Sequence, residues 1–252
     1  MAEAPASVVG YAVADGVATI TLDSPHNRNA LSRQLLAELE DALDRAAADD
    51  AARVVLLRAA GRVFCSGADL GEAAAGSMAD GARRIVALQR RLLTLPKPVV
   101  TRVHGAVRAG GTGIVAASDV AIAAADATFA LTEVKLALAP AAISVSVLAR
   151  MTSRTAALTA LGGEVFSGAD AAAYGLVTSA VPAEQLDAEV ERVCASLATG
   201  AAQGLRETKA LLNRDLIARL DERGEELAGL SARLFGSEEA RTAMTAFLQR
   251  DR

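Results

Sequence analysis

Tryptophan is absent from this 252-residue chain. Aromatic residues make up only 3% of it, too few for the stacking platforms that hold nucleic-acid bases. An excess of positive charge is also missing. Lys and Arg total 26 against 30 Asp and Glu, a formal net charge of −4, which speaks against a nucleic-acid partner. Histidine and cysteine are scarce. With two of each, and Cys65 and Cys194 at no metal or redox spacing, the sequence argues against a metal site and for reduced thiols in the cytoplasm. Long hydrophobic runs are lacking too. The longest apolar stretch, residues 136–149, contains Pro140 and two serines and is too short to span a bilayer, so no membrane association is expected. No basic segment followed by an apolar one opens the chain, and no secretory signal is expected. What remains is 52% apolar and 22% charged, enough to bury the core of one large α/β domain.

Residues 8–13 and 17–22 are β-prone, and Asp15-Gly16 between them is a hairpin signal. Ser32 opens a helix with Leu35, Leu36, Leu39 and Leu43 on one face, and Asp49-Asp50 ends it. Residues 54–57 form an apolar strand without alternation, as in a sheet covered on both faces, and a loop follows over 59–67. An amphipathic helix is predicted over 79–93, with Arg83, Arg84, Arg90 and Arg91 on its wet side. Pro96-Lys97-Pro98 stops it and leads into a strand at 99–103. A glycine-rich turn over 105–113 precedes a short buried helix at 114–117, then strands at 120–123 and 128–131. This alternation predicts a layered α/β fold with parallel strands. From Pro182 onward the pattern is nearly all helical, with breaks near 200–204, 223–224 and 236–237. Such a tail either packs on another subunit, the favoured reading, or caps its own core.

Several segments carry candidate chemistry. Gly111-Thr112-Gly113-Ile114-Val115-Ala116 matches a dinucleotide fingerprint, but seven residues separate it from its strand. Glycines opening a helix instead expose backbone N–H groups that can hold a developing oxyanion. Phe64-Cys65-Ser66-Gly67-Ala68-Asp69-Leu70 is a second small-residue loop, and N–H groups from the two loops could converge on one oxygen. Asp69 reads as an N-cap, and Cys65 as a small buried hydrophobe. Glu133 stands among apolar neighbours. Either it is desolvated and suited to proton transfer, or it is a surface residue paired with Lys135 or an arginine. His26 reads as solvated, and His104 as a packing or hydrogen-bonding residue.

Together these pieces resemble the crotonase superfamily, the enoyl-CoA hydratase/isomerase family. The resemblance lies in residues 22–31 (LDSPHNRNAL), 64–70 (FCSGADL), 97–113 (KPVVTRVHGAVRAGGTG) and 129–140 (FALTEVKLALAP), supported by 162–177 and 205–212. It implies a crotonase-like spiral of ββα units over residues 1–195, holding the CoA and acyl site. A C-terminal helical trimerisation region over 196–252 follows, in a homo-oligomer that is a trimer or dimer of trimers. It further implies an acyl-CoA substrate and no cofactor beyond the coenzyme A of the thioester. It places the Ala68 and Gly110 N–H groups in the oxyanion hole. It places Arg28, Ala30, Ser66, Asp69 and Leu70 along coenzyme A, where a basic side chain suits phosphate.

Glu133 falls on one of the two glutamates of typical hydratases, and Gly113 stands at the other. In this the chain is more like the methylglutaconyl-CoA hydratase type. The reading that follows is an enoyl-CoA hydratase-like lyase adding water to a 2-enoyl-CoA, with Glu133 as base and acid and Ser144 as a candidate to hold the water. An enoyl-CoA isomerase using one glutamate and a non-catalytic acyl-CoA binder stay open as alternatives. The acyl pocket is expected from residues 71–88 and 138–147.

Overall fold

The computed structural model describes residues 6–69, 71–72 and 78–250. It opens on the predicted hairpin. Strands β1 (Val9–Ala14) and β2 (Val17–Leu22) pair antiparallel around Asp15-Gly16, whose φ values of 49° and 78° are those a tight right-twisting turn requires. Helix α1 (Arg33–Ala48) begins at Ser32, whose side chain accepts the Leu35 N–H, and it buries Leu35, Leu36, Leu39 and Leu43.

The chain then repeats one move. Strand β3 (Val54–Ala59) lies in one sheet and β4 (Val63–Cys65) in another. β5 (Val99–Val103) and β6 (Ala106–Arg108) do the same, as do β7 (Val120–Ala124) and β8 (Thr128–Ala130). Each unit thus adds one parallel strand to both sheets, and the chain climbs as a spiral. The larger sheet runs β1-β2-β3-β5-β7-β10, closed by β10 (Ser179–Val181). The smaller runs β4-β6-β8-β9, closed by the antiparallel β9 (Phe166–Ser167). The corners stack tightly. A Cβ on Gly105 would lie 2.2 Å from the Arg62 carbonyl oxygen, so only glycine fits there. Beside it His104 donates from Nε2 to the Gly61 carbonyl, 2.8 Å, a structural hydrogen bond.

Two helices fill the turns of the spiral. α2 (Met78–Thr94) covers the expected segment with Arg83, Arg84 and Arg90 exposed as expected, and three of its arginines reach acidic residues on other helices. Arg83 pairs with Glu225 at 2.7 Å, Arg90 with Asp221 at 2.5 Å, and Arg91 with Asp44. α3 (Gly110–Ala117) starts four residues earlier than the predicted 114, and it is wholly buried. Burial and packing outweigh the poor helix propensity of its three glycines. Strand β4 falls inside the segment expected to be a loop.

After α4 (Ser144–Arg150), α5 (Ser153–Gly162), α6 (Gly168–Ala173) and α7 (Leu186–Ala198) comes α8 (Ala202–Phe235), 34 residues long. It does not break at Arg223-Gly224. Gly224 is buried against α2, where a Cβ would meet Val86 Cγ1 at 2.8 Å, so this glycine permits close helix packing rather than ending a helix. Ser237 caps α9 (Glu238–Arg250), accepting the Ala240 N–H at 3.1 Å. Within the chain, α8 packs along α2 and α9 lies against the turn Thr132–Leu136, so this region roofs its own core. Among the described residues no helix is long and apolar enough to cross a membrane, and no cluster of three or more His, Cys, Asp or Glu could hold a metal ion.

One polar knot anchors that roof. Lys209, 4% exposed, donates to Asp119 at 2.6 Å and to the carbonyls of Leu92 (2.7 Å) and Lys97 (3.0 Å). Asn213 donates to the other Asp119 oxygen at 3.0 Å. Lys209→Met removes the cation and leaves a half-buried carboxylate and two carbonyls short of a partner. A loss of about 3–5 kcal/mol in unfolding free energy, measured by urea denaturation, is the expected outcome.

Candidate active site

Two loops meet beneath α2. The first runs through Ser66, Gly67 and Ala68. It is aligned by Leu31, whose N–H donates to the Gly67 carbonyl at 2.8 Å in a parallel bridge with Ala68. In a bridge of this pattern the Ala68 N–H points away from Leu31. The second loop ends at Ala109 and opens α3 at Gly110, whose N–H heads the helix and has no intrahelical acceptor. The two loops touch. A Cβ on Gly67 (φ 90°) would lie 2.7 Å from Ala109 Cβ and 3.4 Å from the Gly110 nitrogen. Ala109 itself is held at φ 44° and ψ −119°, a conformation that costs an L residue on the order of 1–3 kcal/mol.

Behind the first loop stands Asn29, 0% exposed and at φ 52°. Its Nδ2 donates to the Ala60 and Val63 carbonyls at 2.9 and 2.8 Å, and its Oδ1 accepts the Ser24 N–H at 2.7 Å. Asn29 fixes its flanking residues. Arg28, exposed and left-handed at φ 62°, accepts the Ser66 N–H on its carbonyl at 3.1 Å, and Ala30 is buried. Asp69 acts as the anticipated cap, its Oδ1 accepting the N–H groups of Gly71 (2.9 Å) and Glu72 (3.1 Å). Leu70 lies outside the described residues. Cys65 is buried and its thiol is pushed up to about 12 by that burial, so it is no nucleophile. His26 is exposed.

A cavity of about 430 Å³ opens on this junction. Ala68 and Asp69 form one wall with Leu31 and Leu36, while Ile85 and Ala142 form another. These include parts of both segments expected to line it. Two further wall residues, Ser231 and Phe235, come from α8, and no local pattern links that distant helix to the site.

Glu133 lies on the Thr132–Leu136 turn that follows β8. Of the two readings open for it, surface pairing with Lys135 is excluded, because Lys135 pairs with Glu164 at 2.8 Å. Instead Glu133 Oε2 is buried with no hydrogen-bond partner among the described residues. Desolvation pushes the carboxyl up to about 6 from its ordinary 4.5. Ser144, the candidate for holding water, donates its hydroxyl to the Ala141 carbonyl at 2.8 Å.

The family model for enoyl-CoA hydratase/isomerase matches residues 12–252. The chain belongs to the enoyl-CoA hydratase/isomerase family. A protein of Rhodobacter capsulatus named "Probable enoyl-CoA hydratase" is 32% identical over 96% of this chain and 95% of its own length. The 1,2-epoxyphenylacetyl-CoA isomerase of Escherichia coli is 31% identical over 94% and 93%. The crystal structure of an enoyl-CoA hydratase from Mycobacterium avium superposes with a TM-score of 0.91 at 41% identity, covering 98% of each chain. The mixed α/β fold with its C-terminal helical region is that of the family, whose substrates are acyl-CoA thioesters. Relatives carry both hydratase and isomerase names, so membership makes this chain a hydratase/isomerase-type enzyme without choosing between the two.

A carboxyl whose folded pKa is raised holds its proton more tightly in the fold than in the unfolded chain. Its burial costs nothing extra below about pH 4.5, and the cost grows until the group is ionised above about pH 6. Glu133→Gln is therefore expected to stabilise the protein by about 1–2 kcal/mol at pH 8 and by much less at pH 4.5, as measured by denaturant unfolding at both values.

Proposed function

We propose that this protein is a hydro-lyase that adds water to a 2-enoyl-CoA thioester, with Glu133 as the single proton carrier. The observation that carries the reading is the Glu133 carboxyl, whose buried Oε2 has no hydrogen-bond partner among the described residues and which desolvation raises to about 6. Such a group takes and returns a proton readily at physiological pH. The N–H groups of Ala68 and Gly110 are assigned to the thioester oxygen. Touching loops, a helix N-terminus and a strained Ala109 between them support that assignment. Arg28, Ala30, Ser66, Asp69 and Leu70 are assigned to coenzyme A, which arrives as part of the substrate. The Ser66–Arg28 hydrogen bond, and Asp69 on the cavity wall, support this.

Water attacks C3 while Glu133 takes one of its hydrogens as a proton. The C2–C3 π electrons move toward the thioester carbonyl, and negative charge collects on its oxygen in front of the two N–H groups. The enolate then re-forms the carbonyl as C2 takes the proton from Glu133. The product is a 3-hydroxyacyl-CoA, and the carboxylate is regenerated. Assembly as a homotrimer or dimer of trimers belongs to the same reading. The exposed Leu158, Leu161 and Val165 supply apolar surface for it.

One observation favours a second reading, double-bond isomerisation. A lone carboxylate suffices to move a proton between C2 and C4 through a dienolate, and a relative from Streptococcus mutans, 29% identical over 80% of this chain, is named a trans-2-decenoyl-[acyl-carrier-protein] isomerase. Incubation with 2-enoyl- and 3-enoyl-CoA, followed by mass spectrometry, separates the two. The expected outcome is 3-hydroxyacyl-CoA from the 2-enoyl substrate, and isomerisation without it overturns the hydratase reading. For hydration, kcat/KM is expected to fall about tenfold per pH unit below about 6, where Glu133 is protonated, and to level off above. Glu133→Gln is expected to lower it by about 10²–10⁴-fold and to remove that acid limb.

A further inference from the structure

An attacking water carries two hydrogens. Glu133 can accept one, and a second acceptor must hold the other if the oxygen is to be aimed at C3. Gly113 offers no side chain for this, but the space beside it is filled from another helix. A Cβ on Gly113 would lie 2.6 Å from Ile143 Cγ2 and 3.2 Å from the carboxamide carbon of Gln89 on α2. Gln89 is 1% exposed. Its Nε2 donates to the carbonyls of Ile85 at 3.0 Å and Ala142 at 2.8 Å. Carbonyl oxygens only accept, so the amide can be oriented only one way, with its nitrogen toward them. Its Oε1 is then left over, buried with no partner among the described residues. A buried acceptor in that state marks a place for a donor. Ile85 and Ala142, the residues that grip the amide, both line the main cavity.

Resting on the reading of Glu133 as proton carrier, we propose that Gln89 is the positioning residue for the water, its Oε1 accepting a hydrogen bond from the hydrogen that Glu133 does not take. The amide neither gains nor loses a proton. The water oxygen bonds to C3 and its retained hydrogen becomes the product hydroxyl. The other hydrogen passes through Glu133 to C2.

The test separates water addition from enolate chemistry. Exchange of the C2 hydrogens of a saturated acyl-CoA with D2O needs the base and the oxyanion site but no attacking water. In the full-length protein, Gln89→Met is expected to lower kcat for hydration about 10²-fold, with KM and C2 exchange within about twofold of the parent. Gln89→Glu, assayed at pH 6, keeps an acceptor oxygen at the same place. It is expected to recover most of the parent's rate at that pH. Unchanged hydration in Gln89→Met, or equal loss of hydration and exchange in both variants, overturns the proposal. Glu133→Gln tests the underlying reading by itself. If C2 exchange survives in that variant, the proton-carrier reading falls and the water-positioning role falls with it. If exchange is lost there while Gln89→Met hydrates normally, only the role of Gln89 fails.

Discussion

The site depends on two stretches of backbone coming into contact with almost nothing between them. Gly67 and Ala109–Gly110 touch, and even one methyl group on Gly67 would collide with Ala109. Close approach of this kind is unfavourable on its own, since Asn29 and Ala109, neither of them glycine, adopt positive φ. It persists because stronger interactions surround it. Asn29 meets three backbone groups in the interior, and the Leu31–Gly67 hydrogen bond sets the height of the first loop. The second loop is fixed by α3, every residue of which is buried. Two spiral units, each a rigid strand pair, carry these loops to the same point, so the precision of the junction comes from the sheets rather than from the loops.

Electrostatics follow from the same architecture. A lone carboxyl retains a raised pKa where water is kept away, and burial does this at Glu133. Its neighbour Lys135 is engaged by Glu164, and α9 lies against the turn that carries it. Burial raises the pKa of this glutamate, at a cost in folding stability that the core must offset.

Local pattern made much of the fold legible. The Asp15-Gly16 turn, the Ser32 cap and the apolar face of α1 each depend on residues within a few positions of one another. Elements governed by distant contacts were not legible in the same way. β4 is three residues long and exists because β6 pairs with it. Gly224 resembles a helix breaker until Val86 of α2 is seen packed on it. In the site, the small-residue loops and the glutamate among apolar neighbours stand out in the sequence because composition itself marks them. Asn29 and Gln89 do not. Asn29 grips carbonyls more than thirty residues away, and Gln89 grips one 53 residues away, so neither leaves a local signal.

The far end of the cavity roof shows how such distant contacts act together. Asp119 follows α3, the helix that begins at Gly110, and accepts the Val99 N–H at 2.8 Å at the start of β5. Lys209 and Asn213 of α8 both donate to it, while Lys209 also ties down the end of α2 through the Leu92 carbonyl. One carboxylate thus joins the helix that opens at Gly110, the helix that carries Gln89 and the helix whose Ser231 and Phe235 wall the cavity. A buried ion pair is a poor source of net stability but a strong source of register, because its partners accept little displacement. Placed here, it sets the roof against the floor and with them the volume of the cavity between.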